Sequence, residues 1–190
     1  MIYVISDTHF SHNNIIEYCD RPYKNTLEMN QDIIKKWNSV VTENDIVFHL
    51  GDVGFGLVEQ LKPMIESLNG HKFLLRGNHD VKRGVNSWMN IGFEKVYKCK
   101  EITLKQFLED ISYINDPESK NFVGNLEHLI FSHSPRQCSK DVLNIHGHIH
   151  NVPLDTTIYN PNNHICVSVE MIDYTPKTLR VILGEHQYGR

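Results

Sequence analysis

The 190-residue sequence is poor in features that mark membrane, secreted and nucleic-acid-binding proteins. It has no apolar run of the roughly 18 residues that a membrane-spanning helix needs, and no signal peptide precedes Ile2, where the first apolar run begins. Its four cysteines are isolated, which argues against a zinc knuckle or a disulfide framework. The net charge of −4 argues against a broadly basic surface, though not against a small local basic patch. We therefore expect a cytoplasmic protein that does not bind a membrane, and an extended nucleic acid is a less favoured partner than a small substrate.

Short apolar runs alternate with helical patterns, which predicts a single α/β domain over residues 1–190. Runs typical of strands occur at residues 2–5, 46–50, 72–75, 96–104, 129–131, 142–145, 165–169 and 179–183. Helical spacing follows Thr26, the predicted cap of that helix, and recurs at residues 57–68 around Pro63. Near-continuous apolar strands between helices predict a buried sheet, and the strand-rich last third predicts a second or mixed sheet.

Asp, Asn and His residues follow five of the predicted strands, within about two residues of each strand's end. The motifs are Asp7-Thr8-His9, Gly51-Asp52, Gly77-Asn78-His79-Asp80, His133 and Gly147-His148-Ile149-His150. Taken alone, each residue has an ordinary explanation as a turn former, a helix cap or a packed histidine. Because ligands bind at the carboxyl ends of strands in α/β sheets, the repeated position predicts that these side chains converge on a metal site.

Seven side chains of these motifs are candidate metal ligands, namely Asp7, His9, Asp52, Asn78, His133, His148 and His150. Carboxylate, imidazole and amide ligands without a thiolate suit Mn²⁺, Fe²⁺, Zn²⁺, Co²⁺ or Ni²⁺ better than a structural zinc. Seven ligands exceed the needs of one ion at an open catalytic site, whereas two ions about 3.5–4 Å apart would use them. Asp52 is the expected bridge, because one carboxylate offers two oxygens and its strand is predicted to be central.

The ordered motifs resemble those of the calcineurin-like metallophosphoesterases, whose pattern runs D-x-H, G-D, G-N-H-D, a single His and G-H-x-H. Every element is present in that order between residues 7 and 150. The stretch SDTHFSHNNIIEYCDRPY, residues 6–23, further resembles small bacterial and phage members. The resemblance implies a four-layer αββα sandwich with two mixed β-sheets flanked by helices. It also implies hydrolysis of a phosphodiester or monoester with two divalent ions, Mn²⁺ being expected and Fe, Zn, Ni or Co being alternatives.

The resemblance further implies how the residues act. One ion takes Asp7, His9, Asp52 and His150, and the other takes Asp52, Asn78, His133 and His148. A hydroxide that bridges the ions attacks phosphorus, and His79 stabilises charge or protonates the leaving group. Asp80 is expected to orient the His79 ring through a hydrogen bond.

Several other residues near the motifs have expected roles. His12, Arg21 and Asn78 are candidate substrate-binding residues, because they lie in or close to the motifs and can bind phosphate oxygens. His49 and His146, each just before a motif, are expected to be structural. Arg76 and Arg136 also lie near motifs, but arginines are common on protein surfaces.

Residues 103–127, between the third and fourth motifs, form a longer connection than we expect in a small member. They contain the predicted helix LKQFLEDISYI and a polar loop at residues 115–125. This segment is interpreted either as a surface excursion or as a wall or lid beside the metals. From residue 105 onward its two lysines and five acidic residues give a charge of −3, which would repel a long polyanion. The expected substrate is therefore a small nucleotide-like ester, and duplex DNA is expected to be a poor one.

Two other functions are compatible with the motifs. The same pair of metals could cleave nucleic-acid diesters in a nuclease, and some family members are non-catalytic metal-binding scaffolds. Such scaffolds tend to lose motif residues, whereas His79 and every ligand position are intact here, which favours an enzyme.

Overall fold

A computed structural model describes residues 1–114 and 128–188. The strands among these residues are β1 (Ile2–Ile5), β2 (Ile46–His49), β3 (His71–Leu75), β4 (Lys95–Tyr97), β5 (Glu101–Thr103), β6 (Leu129–Ser132), β7 (Leu143–His146), β8 (His164–Cys166) and β9 (Lys177–Thr178). The α-helices are α1 (Asn14–Tyr18), α2 (Thr26–Val40), α3 (Val58–Glu66), α4 (Val85–Ile91), α5 (Leu104–Asp110) and α6 (Leu179–Tyr188). The predicted polar loop at residues 115–125 lies outside the described residues.

The strands form two sheets, and both are mixed. The first has the order β4-β3-β2-β1-β9, with β9 antiparallel to β1 and the other neighbours parallel. The second has the order β5-β6-β7-β8, with β5 antiparallel to β6 and the other neighbours parallel. Helices flank the sheets, so the predicted α/β class with two mixed sheets is confirmed.

A cluster of four phenylalanines joins the two sheets. The ring of Phe107, in α5, stacks on that of Phe48, in β2, with centroids 4.2 Å apart and planes 5° apart. Phe131, in β6, lies edge-on to Phe48 at 5.1 Å, and Phe73, in β3, lies 5.6 Å from Phe107. All four side chains are completely buried. Because Phe48 and Phe131 belong to different sheets, their packing sets how one sheet lies against the other.

Helix α2 begins one residue earlier than the predicted cap, Thr26, implies. The side-chain oxygen of Asn25 accepts a hydrogen bond from the Glu28 amide at 3.0 Å, so Asn25 is the cap and Thr26 is the first helical residue. Either side chain can accept such a bond, and the sequence favours neither strongly. The helix buries Met29, Ile33 and Trp37, which follow the spacing expected for one helical face.

The prediction of a strand at residues 179–183 is wrong, because this segment begins helix α6. Leu179 and Ile182 are buried, whereas Arg180 and Val181 are exposed. This spacing of three is helical, but a five-residue apolar run is too short for periodicity to separate helix from strand.

Replacement of Phe107 by alanine should lower the free energy of unfolding by about 3–5 kcal/mol, because it removes a buried ring and leaves a cavity between the sheets. Urea denaturation followed by circular dichroism measures this change. Leu27→Ala, at an exposed position of α2, is the control and should change the free energy by less than about 0.5 kcal/mol. Equal effects of the two substitutions would contradict a core that depends on this cluster.

Candidate metal centre

The five sequence motifs come together at the carboxyl ends of β1, β2, β3, β6 and β7. Backbone hydrogen bonds hold their loops against one another. The Asp7 amide donates to the Gly51 carbonyl at 2.9 Å, and the His9 amide donates to the Asp52 carbonyl at 3.1 Å. In the second sheet, the Gly147 amide donates to the His133 carbonyl at 2.9 Å. Backbone hydrogen bonds therefore help to fix the relative positions of these loops.

Most of the proposed ligands form two groups in which the ligand atoms face one another. Within each group these atoms lie within 4.8 Å of one another, the members being Asp7, His9 and His150 in the first group and Asp52, His133 and His148 in the second. Each group contains only residues that the family resemblance assigns to the same ion, and Asp52, which the resemblance assigns to both ions, lies in the second group. Each group takes residues from loops of both sheets, so each is completed only when the sheets are packed together.

In the first group, His9 Nε2 and His150 Nε2 each lie 3.9 Å from Asp7 Oδ1. Asp7 Oδ1 and both ring nitrogens of His9 are buried and have no hydrogen-bond partner among the described residues. Buried polar atoms are almost always paired, because an unpaired one costs free energy. A divalent cation between these atoms would supply the missing partner, and carboxylate and imidazole are suitable ligands for it.

In the second group, three potential ligand atoms surround Nε2 of the His133 imidazole. His133 Nε2 lies 3.4 Å from Asp52 Oδ2, 2.9 Å from Asn78 Oδ1 and 3.2 Å from His148 Nδ1. The other ring nitrogen, Nδ1, lies 2.9 Å from the Leu50 carbonyl oxygen and donates to it, which leaves Nε2 as the ligand atom. Asn78 thus adds an amide oxygen to the second group.

Asp52, a member of the second group, also faces the first group. Its Oδ2 atom is 3.7 Å from His9 Nε2 in the first group and 3.4 Å from His133 Nε2 in the second. Its Oδ1 atom accepts a hydrogen bond from the His79 amide at 3.0 Å. The expected bridge used both oxygens, whereas here a single oxygen, Oδ2, faces both groups.

The imidazoles of the centre differ in protonation. Burial lowers the pKa of His9 to about 2, so this ring is neutral at physiological pH. Burial also disfavours the charged form of His133, but the hydrogen bond to Asp52 and the charges of Asp7 and Asp52 outweigh it and raise the His133 pKa to about 9. In His150, hydrogen bonds to Cys19 and Glu170 likewise outweigh burial and raise the pKa to about 10.

Five of the seven proposed ligands have a left-handed backbone, with φ between 50° and 72°. They are Asp7, His9, Asp52, His148 and His150. Residues other than glycine adopt this conformation rarely, and it is concentrated at functional sites where the surrounding structure enforces it. The backbone therefore turns sharply after β1, β2 and β7, which directs these motif residues toward the centre.

Gly147 explains the spacing of the histidines in IHGHIH. A Cβ atom at this position would collide with Ser6 Oγ and Asp7 Oδ2, so only glycine lets the chain pass so close. The next amide, that of His148, donates to Asp7 Oδ2 at 2.8 Å, and Ser168 Oγ donates to the same oxygen at 2.8 Å. Asp7 is therefore held by one oxygen, and its other oxygen faces the first group.

The two histidines that precede motifs have structural partners. Gly51 N donates to Nδ1 of the buried His49 at 3.1 Å, and His49 Nε2 lies 3.0 Å from Thr8 Oγ1. His146 is also buried, and its Nδ1 lies 2.9 Å from the Gly147 carbonyl oxygen. Neither ring belongs to a ligand group.

The expected contact between Asp80 and the His79 ring is absent, so that prediction is wrong. Asp80 is buried, and its carboxylate accepts hydrogen bonds from the amides of Asp52, Val53 and Gly77 at 2.7–3.1 Å. Its role is to clamp the loop after β2 to the loop after β3. His79 instead lies against Phe55, with ring centroids 5.1 Å apart, and its side chain is 39% exposed.

Arg21 lies beneath the centre, where it is buried and turned away from solvent. Its guanidinium donates to the carbonyls of Thr8 and Asp7 at 2.9 and 2.8 Å and to Glu170 Oε1 at 2.9 Å. With these bonds made, it cannot also reach a phosphate above the ligands. We therefore replace the expected substrate contact by a positioning role for the first motif.

Glu170 was not identified from the sequence. Its Oε1 lies 3.0 Å from His150 Nδ1 and also accepts hydrogen bonds from Arg21, so it fixes which nitrogen of His150 faces the first group. Cys19, His150 and Glu170 form a third group of potential ligand atoms. His150 Nδ1 faces Glu170, whereas its Nε2 faces Asp7 of the first group. A signal was available, because Glu170 directly follows the apolar run at residues 165–169, as the other motif residues follow their strands.

His12 lies at the edge of the first group. Its ring stacks on Phe55 with centroids 4.1 Å apart and lies 5.3 Å from the His9 ring and 6.4 Å from the His79 ring. Burial and the neighbouring His79 lower its pKa, which favours the neutral ring. Its position beside both His9 and His79 is compatible with the predicted contact to substrate.

Comparison with known proteins identifies the family. Residues 1–183 match the calcineurin-like phosphoesterases, and the chain belongs to this family of metal-dependent phosphoesterases. The predicted resemblance is thereby confirmed, and with it the calcineurin-like phosphoesterase fold.

Two relatives illustrate how far the likeness extends. An uncharacterized protein of Methanocaldococcus jannaschii is 37% identical over 193 residues, an alignment that covers 100% of this chain and 93% of the relative. The crystal structure of a protein of unknown function from Aquifex aeolicus superposes with a TM-score of 0.65 over 97% of this chain and 98% of that chain, at 23% identity. The second likeness concerns the fold alone.

Within residues 1–114 and 128–188, no helix is both long and apolar enough to cross a membrane.

Metal loading should release protons at pH 7. Because the metal-free protein holds His133 and His150 with pKa values of about 9 and 10, both rings are protonated there and must lose a proton to bind an ion. We expect about two protons per protein on saturation with Mn²⁺. Isothermal titration calorimetry in buffers of different ionisation enthalpy counts them, and binding that releases none would contradict the proposed ligands.

Proposed function

We propose that the protein hydrolyses a small phosphate ester with two divalent ions, Mn²⁺ being the expected metal. The observation that carries this proposal is the pair of facing ligand groups with Asp52 Oδ2 between them. When bound, the two ions would lower the pKa of a water molecule and neutralise charge on the phosphate. The four cysteines are all free, which supports a reducing, cytoplasmic location.

Neighbouring residues hold the proposed ligands of those ions in place. Arg21 donates hydrogen bonds to the carbonyls of Asp7 and Thr8, which fixes the backbone of the first motif. Ser168 and the His148 amide hold one carboxylate oxygen of Asp7. Asp80 fixes the loop that carries Asp52. The ligands would therefore require little rearrangement to bind metal ions.

His79 is the proposed proton donor to the leaving group. Its Nε2 lies 3.8 Å from Asp52 Oδ2, and its side chain is partly exposed, so it borders both the ligand groups and solvent. It is not a member of either ligand group, which leaves its ring free for substrate. A protonated imidazole in this place can stabilise the developing charge or donate a proton as the ester bond breaks.

The first test combines a substrate panel with one variant. Bis(4-nitrophenyl) phosphate and 4-nitrophenyl phosphate are assayed with added Mn²⁺, and the proposal requires turnover of at least one of them. Asp52→Asn removes the charge between the two groups and should lower both bound metal and kcat/KM, the latter by at least about 100-fold. Metal is measured by mass spectrometry of the desalted protein.

Asp155→Asn is the matched control, because Asp155 is an exposed carboxylate outside the ligand groups, and it should behave as wild type. Circular dichroism verifies that both variants are folded. If the Asp52 variant still retains two tightly bound ions, the assignment of Asp52 to both groups is wrong.

His79→Ala should leave metal content unchanged and lower kcat by about 10²–10⁴, the usual contribution of general acid–base catalysis. The loss should be smaller for nitrophenyl esters, whose leaving group needs no proton, than for alkyl esters. His71→Ala, at a histidine paired with Glu94 away from the ligand groups, is the control. Equal losses with both kinds of ester would remove the proton-donor role.

A further inference from the structure

A pocket of about 410 Å³ opens beside the second ligand group. Two of its lining residues, Asn78 and His133, belong to that group, so the pocket and the proposed metals share a wall. Its lining also includes four cationic residues, which are Arg76, Lys98, Lys100 and Arg136. We call this space the cationic pocket.

The charge of the cationic pocket is mostly uncompensated. Among the described residues, Arg136 is its only cation with an ion pair, 3.3 Å from the exposed Glu101. Lys98 and Lys100 are exposed and form no ion pair with any residue in the described ranges. Arg76 Nε is buried without a hydrogen-bond partner there. In a protein with a net charge of −4, such a concentration of positive charge predicts an anionic ligand.

Three of these cations lie at a strand end or in the connection between the two sheets. Arg76 directly follows β3, and its amide donates to the Tyr97 carbonyl at 3.2 Å. Lys98 and Lys100 lie in the short connection between β4 and β5, where the chain passes from the first sheet to the second. Two of the cations thus sit where the two sheets meet, as the metal ligands do.

We propose that the cationic pocket binds a second phosphate group of the substrate while the scissile phosphate lies at the metal centre. This inference rests on the proposed function and specifies its substrate class, namely a small ester with two phosphate groups, such as a nucleoside bisphosphate. Guanidinium and ammonium groups both bind phosphate oxygens through charge-assisted hydrogen bonds. A pocket of this volume suits a small ligand, and the wall shared with the second group places it within reach of one substrate molecule.

The test compares two esters that differ only in the second phosphate. The Mn²⁺-loaded protein is assayed with thymidine 5′-(4-nitrophenyl phosphate) and with the same compound phosphorylated at the 3′ oxygen. We expect kcat/KM to be at least about tenfold higher for the second ester, the effect of one charge-assisted contact. The double variant Lys98→Ala/Lys100→Ala should lose this preference and retain wild-type activity on the first ester.

Lys35→Ala removes an exposed lysine of α2 outside the pocket and should keep the preference. Binding is measured in parallel by calorimetry with adenosine 5′-monophosphate and adenosine 3′,5′-bisphosphate, so the pocket is tested even if neither ester is cleaved. Tighter binding of the bisphosphate by wild type but not by the double variant supports the inference.

Two results would overturn it. The first is equal binding and turnover of the two members of each pair by wild-type protein. The second is a greater preference for long single-stranded DNA than for the bisphosphate ester, which would assign the pocket to a nucleic-acid backbone. Absence of all hydrolysis would count against the proposed function, whereas hydrolysis without preference would overturn only the cationic pocket.

Discussion

Burial of unpaired polar atoms is the constraint on which the centre depends. Asp7 Oδ1 and the ring of His9 are enclosed by protein and receive no hydrogen bond from the described residues, while the backbone at both positions is left-handed. Each of these features costs free energy. They persist because the phenylalanine cluster and the loop hydrogen bonds hold the sheets and loops around them, and a bound cation would offset much of the cost.

The supporting residues form two sets, which hold different loops of the centre. Arg21 and Glu170 hold the first motif and His150, and Asp80 holds the loops after β2 and β3. All three are buried or nearly so, and all three use their charge on backbone groups or on other residues of the centre. Loss of any one of them should displace the ligands that it holds, so a defect in activity at these positions need not indicate contact with substrate.

The sequence predicted the position of the site better than the roles of its residues. The motifs were visible because each follows an apolar run, and their order carried the family resemblance. The roles of Asp80 and Arg21 were not visible, because a carboxylate beside a histidine and an arginine near a phosphate site are compatible with several contacts. Glu170 was overlooked because it follows its strand without a neighbouring motif. The start of helix α6 was predicted as a strand, because a run of five apolar residues fits both helical and strand periodicity.

Each ligand group contains residues from loops of both sheets, so metal binding would restrict how the two sheets move relative to each other. An ion in either group would act as a cross-link between the sheets, so the layers could not separate without breaking metal–ligand bonds. Opening fluctuations along the carboxyl ends of the strands should then be rarer in the loaded protein than in the metal-free one, and amide hydrogens of β1, β2, β6 and β7 should exchange more slowly. The ions proposed for hydrolysis would thus also limit how often water reaches the protein interior.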